Sequence, residues 1–248
     1  MPFIDIGDFR THYELSGAGD SVLLFSNSLG TDYSMWEPQM SALAREFRIL
    51  RYDTRGHGQS SAAPGEYTIE QLGRDVLALL DALSIERVHF CGLSMGGMIG
   101  MWLGVNAPER LRRLVLCNTA ARIGTPAAWN ARIATVRREG MKTVAAAVIE
   151  RWFTPEFRAL HPKKVAPAQR MLENSPPDGY AACCAAVRDM DQRETIGTIP
   201  VPTLVIYGGQ DPVIPNSDAL FLKERIPGAE AVELQAAHLS NVEQADAF

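Results

Sequence analysis

Apolar residues fall in short blocks separated by stretches with helical spacing. The blocks at 22–26, 48–52, 88–91, 114–117, 203–207 and 231–234 are strand-sized, and weaker ones at 3–6 and 12–15 read as an opening hairpin. Ser34-x-x-Glu37 has the form of a capping box, predicting a helix toward Arg45 with Pro38 in the tolerated first turn. Thr68-x-x-Gln71 opens a second helix, whose Ile69, Leu72, Val76, Leu79, Leu80 and Leu83 share one face. A third follows Ser94 and ends near Asn106-Ala107-Pro108. Near-continuous apolar strands alternating with amphipathic helices predict an α/β fold, a mostly parallel eight-stranded sheet with helices on both faces.

The alternation breaks after Cys117-Asn118. From there to Thr198 only helical patterns occur, at about 127–150, 165–174 and 178–190, punctuated by Pro126, Pro155, Pro162, Pro167 and Pro176-Pro177. Strand character resumes with Ile199-Pro200-Val201-Pro202-Thr203-Leu204. The reading is one core made of 1–118 and 199–248, with 119–198 a helical cap inserted after strand 6.

The 248 residues are 46% hydrophobic and 21% charged, ordinary for a globular chain. No stretch approaches the ~18 consecutive apolar residues of a membrane helix. The N-terminus has no basic segment followed by an apolar one, so a cytoplasmic protein without membrane association is expected. A net charge of −5 argues against a nucleic-acid surface and means that any acidic ligand must meet a local cation. Cys91, Cys117, Cys183 and Cys184 lack metal-like spacing and read as reduced thiols. Neither a zinc signature nor a nucleotide-binding glycine loop is present, so no metal and no cofactor is expected. Oligomeric state is not legible.

The sharpest local signal is Gly92-Leu93-Ser94-Met95-Gly96, directly after Val88-His89-Phe90-Cys91 and before a helical pattern. A G-x-S-x-G turn between strand and helix lifts the serine oxygen above the sheet, and small residues two positions either side let the two elements approach. Met95 then supplies a backbone N–H at a helix start, where donors are unpaired and negative charge is favoured.

A nucleophilic serine needs a base, and the base an anion to fix its tautomer. His12 lies in the hairpin, His89 inside a core strand, His161 before a proline in the insert, and His57 in a tight turn where it reads as a structural hydrogen-bonding residue. His238 falls just past the last strand, at the carboxyl ends of the strands where open α/β sheets bind ligands. Asp211 follows its strand in the same way. Asp53 precedes the serine in a structural-looking turn, and Asp189 and Asp191 read as solvated. The order Ser94, Asp211, His238 is that of the α/β-hydrolases. The loop Ser26-Asn27-Ser28-Leu29-Gly30-Thr31 offers the Leu29 N–H as second oxyanion donor beside Met95.

Over nearly its whole length the chain resembles the α/β-hydrolase superfamily, and more narrowly the 3-oxoadipate enol-lactonases of bacterial aromatic-acid catabolism. The carrying segments are Asn27-Ser28-Leu29-Gly30-Thr31, Arg51-Tyr52-Asp53-Thr54-Arg55-Gly56-His57-Gly58, Phe90-Cys91-Gly92-Leu93-Ser94-Met95-Gly96-Gly97 and Cys117-Asn118-Thr119-Ala120-Ala121-Arg122-Ile123-Gly124. The resemblance implies a lactonase with the triad above, acting through an acyl-enzyme on a small anionic lactone. For the substrate carboxylate the candidates are Arg122, at the entrance to the insert, and Arg132 or Arg151 within it, with Arg122 preferred. Trp129, Trp152 and Phe153 could wall the pocket. The family usually continues past the catalytic histidine into a full closing helix, whereas 241–248 can supply about two turns here. Another ester hydrolase, a perhydrolase or a C–C bond hydrolase would use the same triad, and a ligand receptor of the same fold is the reading outside catalysis.

Overall fold

The computed structural model describes residues 2–248. Eight strands form one sheet: β1 (Phe3–Ile6), β2 (Phe9–Ser16), β3 (Ser21–Ser26), β4 (Phe47–Tyr52), β5 (Val88–Leu93), β6 (Leu111–Cys117), β7 (Thr203–Gly208) and β8 (Glu230–Leu234). Their order is β1-β2-β4-β3-β5-β6-β7-β8. The β1–β2 and β2–β4 pairs are antiparallel and all others parallel. Consecutive residues of a strand face opposite sides of a sheet. In β3 and β5 consecutive residues are nevertheless buried, Leu24 and Phe25 or Phe90 and Cys91, so helices cover both faces.

The core helices are α1 (Glu37–Leu43), α2 (Ile69–Ala82) and α3 (Met95–Asn106), followed after the insert by α9 (Asn216–Arg225) and α10 (Ser240–Glu243). Thr68 caps α2 as its sequence predicts, its side chain accepting the Gln71 N–H. The Ser34–Glu37 capping box does not form. Asp32 accepts the Ser34 N–H instead and caps a 3₁₀ turn, Tyr33–Trp36, and α1 begins only at Glu37. The cause is tertiary. Trp36 is fully buried, stacks on Phe25 with centroids 4.4 Å apart, and donates its indole N–H to Asn27 at 2.9 Å, which sets where the chain can turn into a regular helix.

Between β6 and β7 run α4 (Pro126–Glu139), α5 (Met141–Trp152), α6 (Pro155–Leu160), α7 (Pro162–Asn174) and α8 (Pro177–Asp189). The single helix expected at 127–150 is two, because Gly140 takes φ +80° and ends one while starting the next. The short α6 has no signal in the apolar spacing. Pro167 lies inside α7, which starts three residues before the expected 165. At the other end of the chain α10 has four residues, less than the two turns that 241–248 could supply. No helix among the described residues is long and apolar enough to cross a membrane.

Candidate active site

Ser94 sits between β5 and α3 with φ +55° and ψ −114°, a conformation that L-residues rarely adopt. Neighbouring backbone over-determines it. The Ser94 N–H donates to Cys117 O at 2.9 Å, Thr119 Oγ1 donates to Ser94 O at 2.7 Å, and Gly96 N–H donates to Asn27 O at 3.0 Å. A Cβ on Gly96 would lie 2.1 Å from Ser26 O, so the helix can approach the loop after β3 this closely only through glycine.

Asp211 and His238, which follow β7 and β8, meet: His238 Nδ1 and Asp211 Oδ2 are 2.8 Å apart, and both residues are buried. The other carboxylate oxygen accepts the Val213 and Ile214 N–H groups at 2.7 and 3.1 Å. Burial pushes the Asp211 pKa up, but His238, the Asn118 amide and the Val213 N–H outweigh it and hold the carboxyl below its ordinary value. Ser94 and His238 line one cavity, together with Leu29 and Met95. Neither the Leu29 nor the Met95 N–H has an acceptor among the described residues, whereas the N–H groups of Ser28, Gly30 and Thr31 are all engaged.

Asn118, at the end of β6, was not singled out by the sequence, although it lies in a segment that carries the resemblance. With φ +44° it donates to Asp211 Oδ2 at 2.9 Å and to Ala237 O at 3.2 Å, and its own oxygen accepts from Ser240 at 2.6 Å. One amide thus ties the acid to both sides of the His238 loop. Glu243 is a second such tie. Its carboxylate accepts the Ala237 N–H at 3.0 Å, the Thr154 N–H at 3.3 Å and the Thr154 hydroxyl, joining that loop to the start of α6.

The other histidines stand apart. His12 is buried and paired with Asp53 at 2.7 Å, His89 packs edge-on against Phe47, and His161 is exposed. His57 is buried and accepts the Gly30 N–H at 2.9 Å.

The inserted helices close the cavity with Trp129, Arg132, Arg151, Trp152 and Tyr180. Arg122, the preferred carboxylate ligand, lies outside it. It is exposed, and its guanidinium is 3.9 Å from Asp191, a pairing across the chain that sequence spacing does not reveal. Arg132 and Arg151 have no carboxylate partner among the described residues. Arg132 lies 5.3 Å over the Trp129 ring and 3.4 Å from the Tyr180 hydroxyl, while Arg151 donates to Ala147 O at 3.3 Å. Burial, and then the positive charge of Arg132, lower the Arg151 pKa. The cavity therefore holds two cations and no compensating anion. Both also line a second cavity of about 210 Å³ that adjoins the first through Ile123, Trp129 and Val213.

A family model described as the alpha/beta hydrolase fold matches residues 21–245, and the chain belongs to that family. Two relatives from Acinetobacter baylyi specify the class further. 3-Oxoadipate enol-lactonase 2 is 45% identical, covering 97% of this chain and 91% of its own, and 3-oxoadipate enol-lactonase 1 is 42% identical, covering 92% and 85%. The crystal structure of the enol-lactonase from Burkholderia xenovorans LB400 superimposes with a TM-score of 0.98 at 46% identity, over 100% of this chain and 96% of that one. A thermophilic esterase from Thermogutta terrifontis, solved with malate bound, gives a TM-score of 0.94 at 28% identity over 100% and 95%. The chain is a carboxylic-ester hydrolase.

Proposed function

We propose that this enzyme opens the 3-oxoadipate enol-lactone ring to give 3-oxoadipate, with Ser94, His238 and Asp211 as its triad and 119–198 as a cap over the site. The relatives' names support the substrate. The observation that carries the reading to this chain is the pair of arginines, Arg132 and Arg151, left without carboxylate partners in the Ser94 cavity. A neutral ester has no use for two half-buried cations. A lactone with a free carboxylate offsets one of the two charges and repays part of the desolvation that lowers the Arg151 pKa.

His238 takes the Ser94 proton as Ser94 attacks the lactone carbonyl, and Asp211 holds the imidazole in the tautomer with its proton on Nδ1. The Leu29 and Met95 N–H groups receive the oxyanion, and each such donor is worth about 3 kcal/mol in the transition state. Collapse breaks the ring C–O bond, leaving an acyl-enzyme and an enol that His238 protonates. The enol stays tethered to the acyl chain, so its ketonisation removes the nucleophile that would otherwise close the ring again. His238 then activates water, which releases the acid and restores Ser94. Trp129 and Trp152 wall the lactone ring.

Loss of enol-lactone absorbance, measured beside hydrolysis of p-nitrophenyl acetate, tests this. Charge-assisted hydrogen bonds of about 1.5–3 kcal/mol predict that Arg132→Ala and Arg151→Ala each raise KM for the lactone by about 10- to 100-fold and leave the neutral ester within a few-fold. Equal effects on both substrates refute the carboxylate assignment. A wild-type enzyme that turns over the ester but not the lactone refutes the substrate.

A further inference from the structure

An oxyanion donor works only if its N–H points into the cavity before the substrate arrives. Nothing bonded to Leu29 itself fixes that direction, so it must come from the residues beside it. The Ser28 N–H is taken by the Met35 sulfur at 3.4 Å, and Ser28 O accepts both the N–H and the hydroxyl of Thr31 at 3.2 and 2.8 Å. On the other side the Gly30 N–H donates to His57 Nε2 at 2.9 Å, and Gly30 O accepts from Ser175 at 3.2 Å. The peptide unit that follows Leu29 is thereby held by one imidazole.

His57 is built for that task. It is fully buried, and its own N–H donates to Thr54 O at 2.8 Å while its carbonyl accepts the Ser60 N–H at 3.1 Å, so its backbone cannot drift. Because Nε2 accepts, the ring proton of the neutral imidazole lies on Nδ1, which faces Arg55 O at 3.4 Å. Gly30 has φ +84°, and a Cβ there would meet Leu172 at 2.6 Å and Tyr180 at 3.1 Å, so the inserted helices pack directly against the loop at Gly30. His57 lies outside the lining of the Ser94 cavity, and its ring is bonded to Gly30, Arg55 and Cys183 rather than to Ser94, Asp211 or His238.

We infer that His57 is a positioning residue of the oxyanion hole: its Nε2 captures the Gly30 N–H and so holds the Leu29 N–H toward the attacked carbonyl. The inference rests on the proposed role of Leu29 as oxyanion donor. It needs no assumption about the lactone, so p-nitrophenyl acetate serves as the probe.

Two amides separate positioning from mere packing. In His57→Gln the amide oxygen reaches the place of Nε2 and can accept the Gly30 N–H, whereas in His57→Asn it reaches only the place of Nδ1. The two share polarity and differ by one methylene. His57→Asn is expected to lower kcat by about 10- to 100-fold, within the range for a lost oxyanion donor, with little change in KM. It should weaken an alkylboronic acid, which adds to Ser94 and presents a tetrahedral oxygen to the hole, by a similar factor. His57→Gln is expected to stay within about 3-fold of wild type on both measures. Adipate binding should be the same in all three proteins. Equal losses in both variants, or boronate affinity unchanged in His57→Asn, overturn the inference. Should His57→Asn fail to fold, a His57→Gln enzyme with kcat and boronate affinity reduced 10-fold or more overturns it as well. Ser94→Ala is the control: if it keeps esterase activity, the triad reading fails, and if it loses activity while Gln and Asn behave alike, only the role of His57 fails.

Discussion

Burial of an uncharged imidazole has a cost that pH exposes. Burial pushes the His57 pKa from 6.5 down to about 4, with the Arg55 carbonyl and the Asp32 carboxylate opposing it only in part. Between those two values the unfolded chain takes up a proton that the folded chain refuses. Stability therefore falls as pH falls across that window, and it levels off once the folded imidazole also protonates. The slope for one such group approaches about 1.4 kcal/mol per pH unit and is half that at pH 6.5, so from pH 6.5 to 5 this residue alone accounts for about 1.5 kcal/mol. Asp53 and Asp75, whose carboxyls burial raises, push in the opposite sense at lower pH. The usable quantity is therefore the difference between wild type and His57→Gln, in which those contributions cancel. Urea unfolding of both proteins at pH 7, 6.5, 6, 5.5 and 5 is the assay. The free-energy gap should move in favour of the variant by about 1.5 kcal/mol between pH 6.5 and 5, most steeply at the acid end. Parallel curves would mean that the folded imidazole titrates normally and is not held as a neutral acceptor for the Gly30 N–H.

Two further perturbations probe the support of the proposed triad. Asn118→Ala strips Asp211 of a donor and Ser240 of an acceptor, and should lower kcat about 10-fold while costing about 1–3 kcal/mol of stability; kcat unchanged at full occupancy would show that the Val213 and Ile214 N–H groups suffice to hold the carboxylate. Glu243→Ala leaves the Ala237 and Thr154 N–H groups buried without an acceptor, and should cost about 2–4 kcal/mol in urea unfolding, with Glu243→Gln recovering part of it through its amide oxygen.

The residues that the sequence makes visible are those whose position follows from one strand end. Ser94, Asp211 and His238 each come directly after a strand, and a parallel sheet brings those ends together whatever the intervening chain does. Leu29, three residues past β3, reaches the same cavity for the same reason. Asn118 also follows a strand, yet asparagine carries no reactivity that would mark it, and its bonds to Asp211 and Ser240 span 93 and 122 residues. The insert is less legible because its pairings are long-range. Arg122 lies beside the strand end but is drawn to Asp191, whereas Arg132 and Arg151 reach the cavity only because α4 and α5 fold back at Gly140, the break that apolar spacing alone did not reveal. The missed start of α1 has the same origin, since Trp36 answers to Phe25 and Asn27 rather than to its own neighbours.

The core strands and the helices between β6 and β7 are separate along the chain, but beside His238 they share a joint. The Leu239 N–H, next to His238, donates to Trp152 O at 2.9 Å, next to Arg151. Glu243 bridges the same two segments again, from the Ala237 N–H to Thr154. In the proposed reaction His238 serves the scissile carbonyl end of the substrate and Arg151 its carboxylate end. The distance between those ends is then set by a backbone hydrogen bond between their immediate neighbours, with a buried carboxylate behind it, rather than by the packing of a mobile lid. A substrate with one methylene more or fewer between carbonyl and carboxylate must either strain that joint or leave one end unbound. Discrimination by chain length is therefore expected to be lost first in variants that loosen the joint, with the arginines themselves intact.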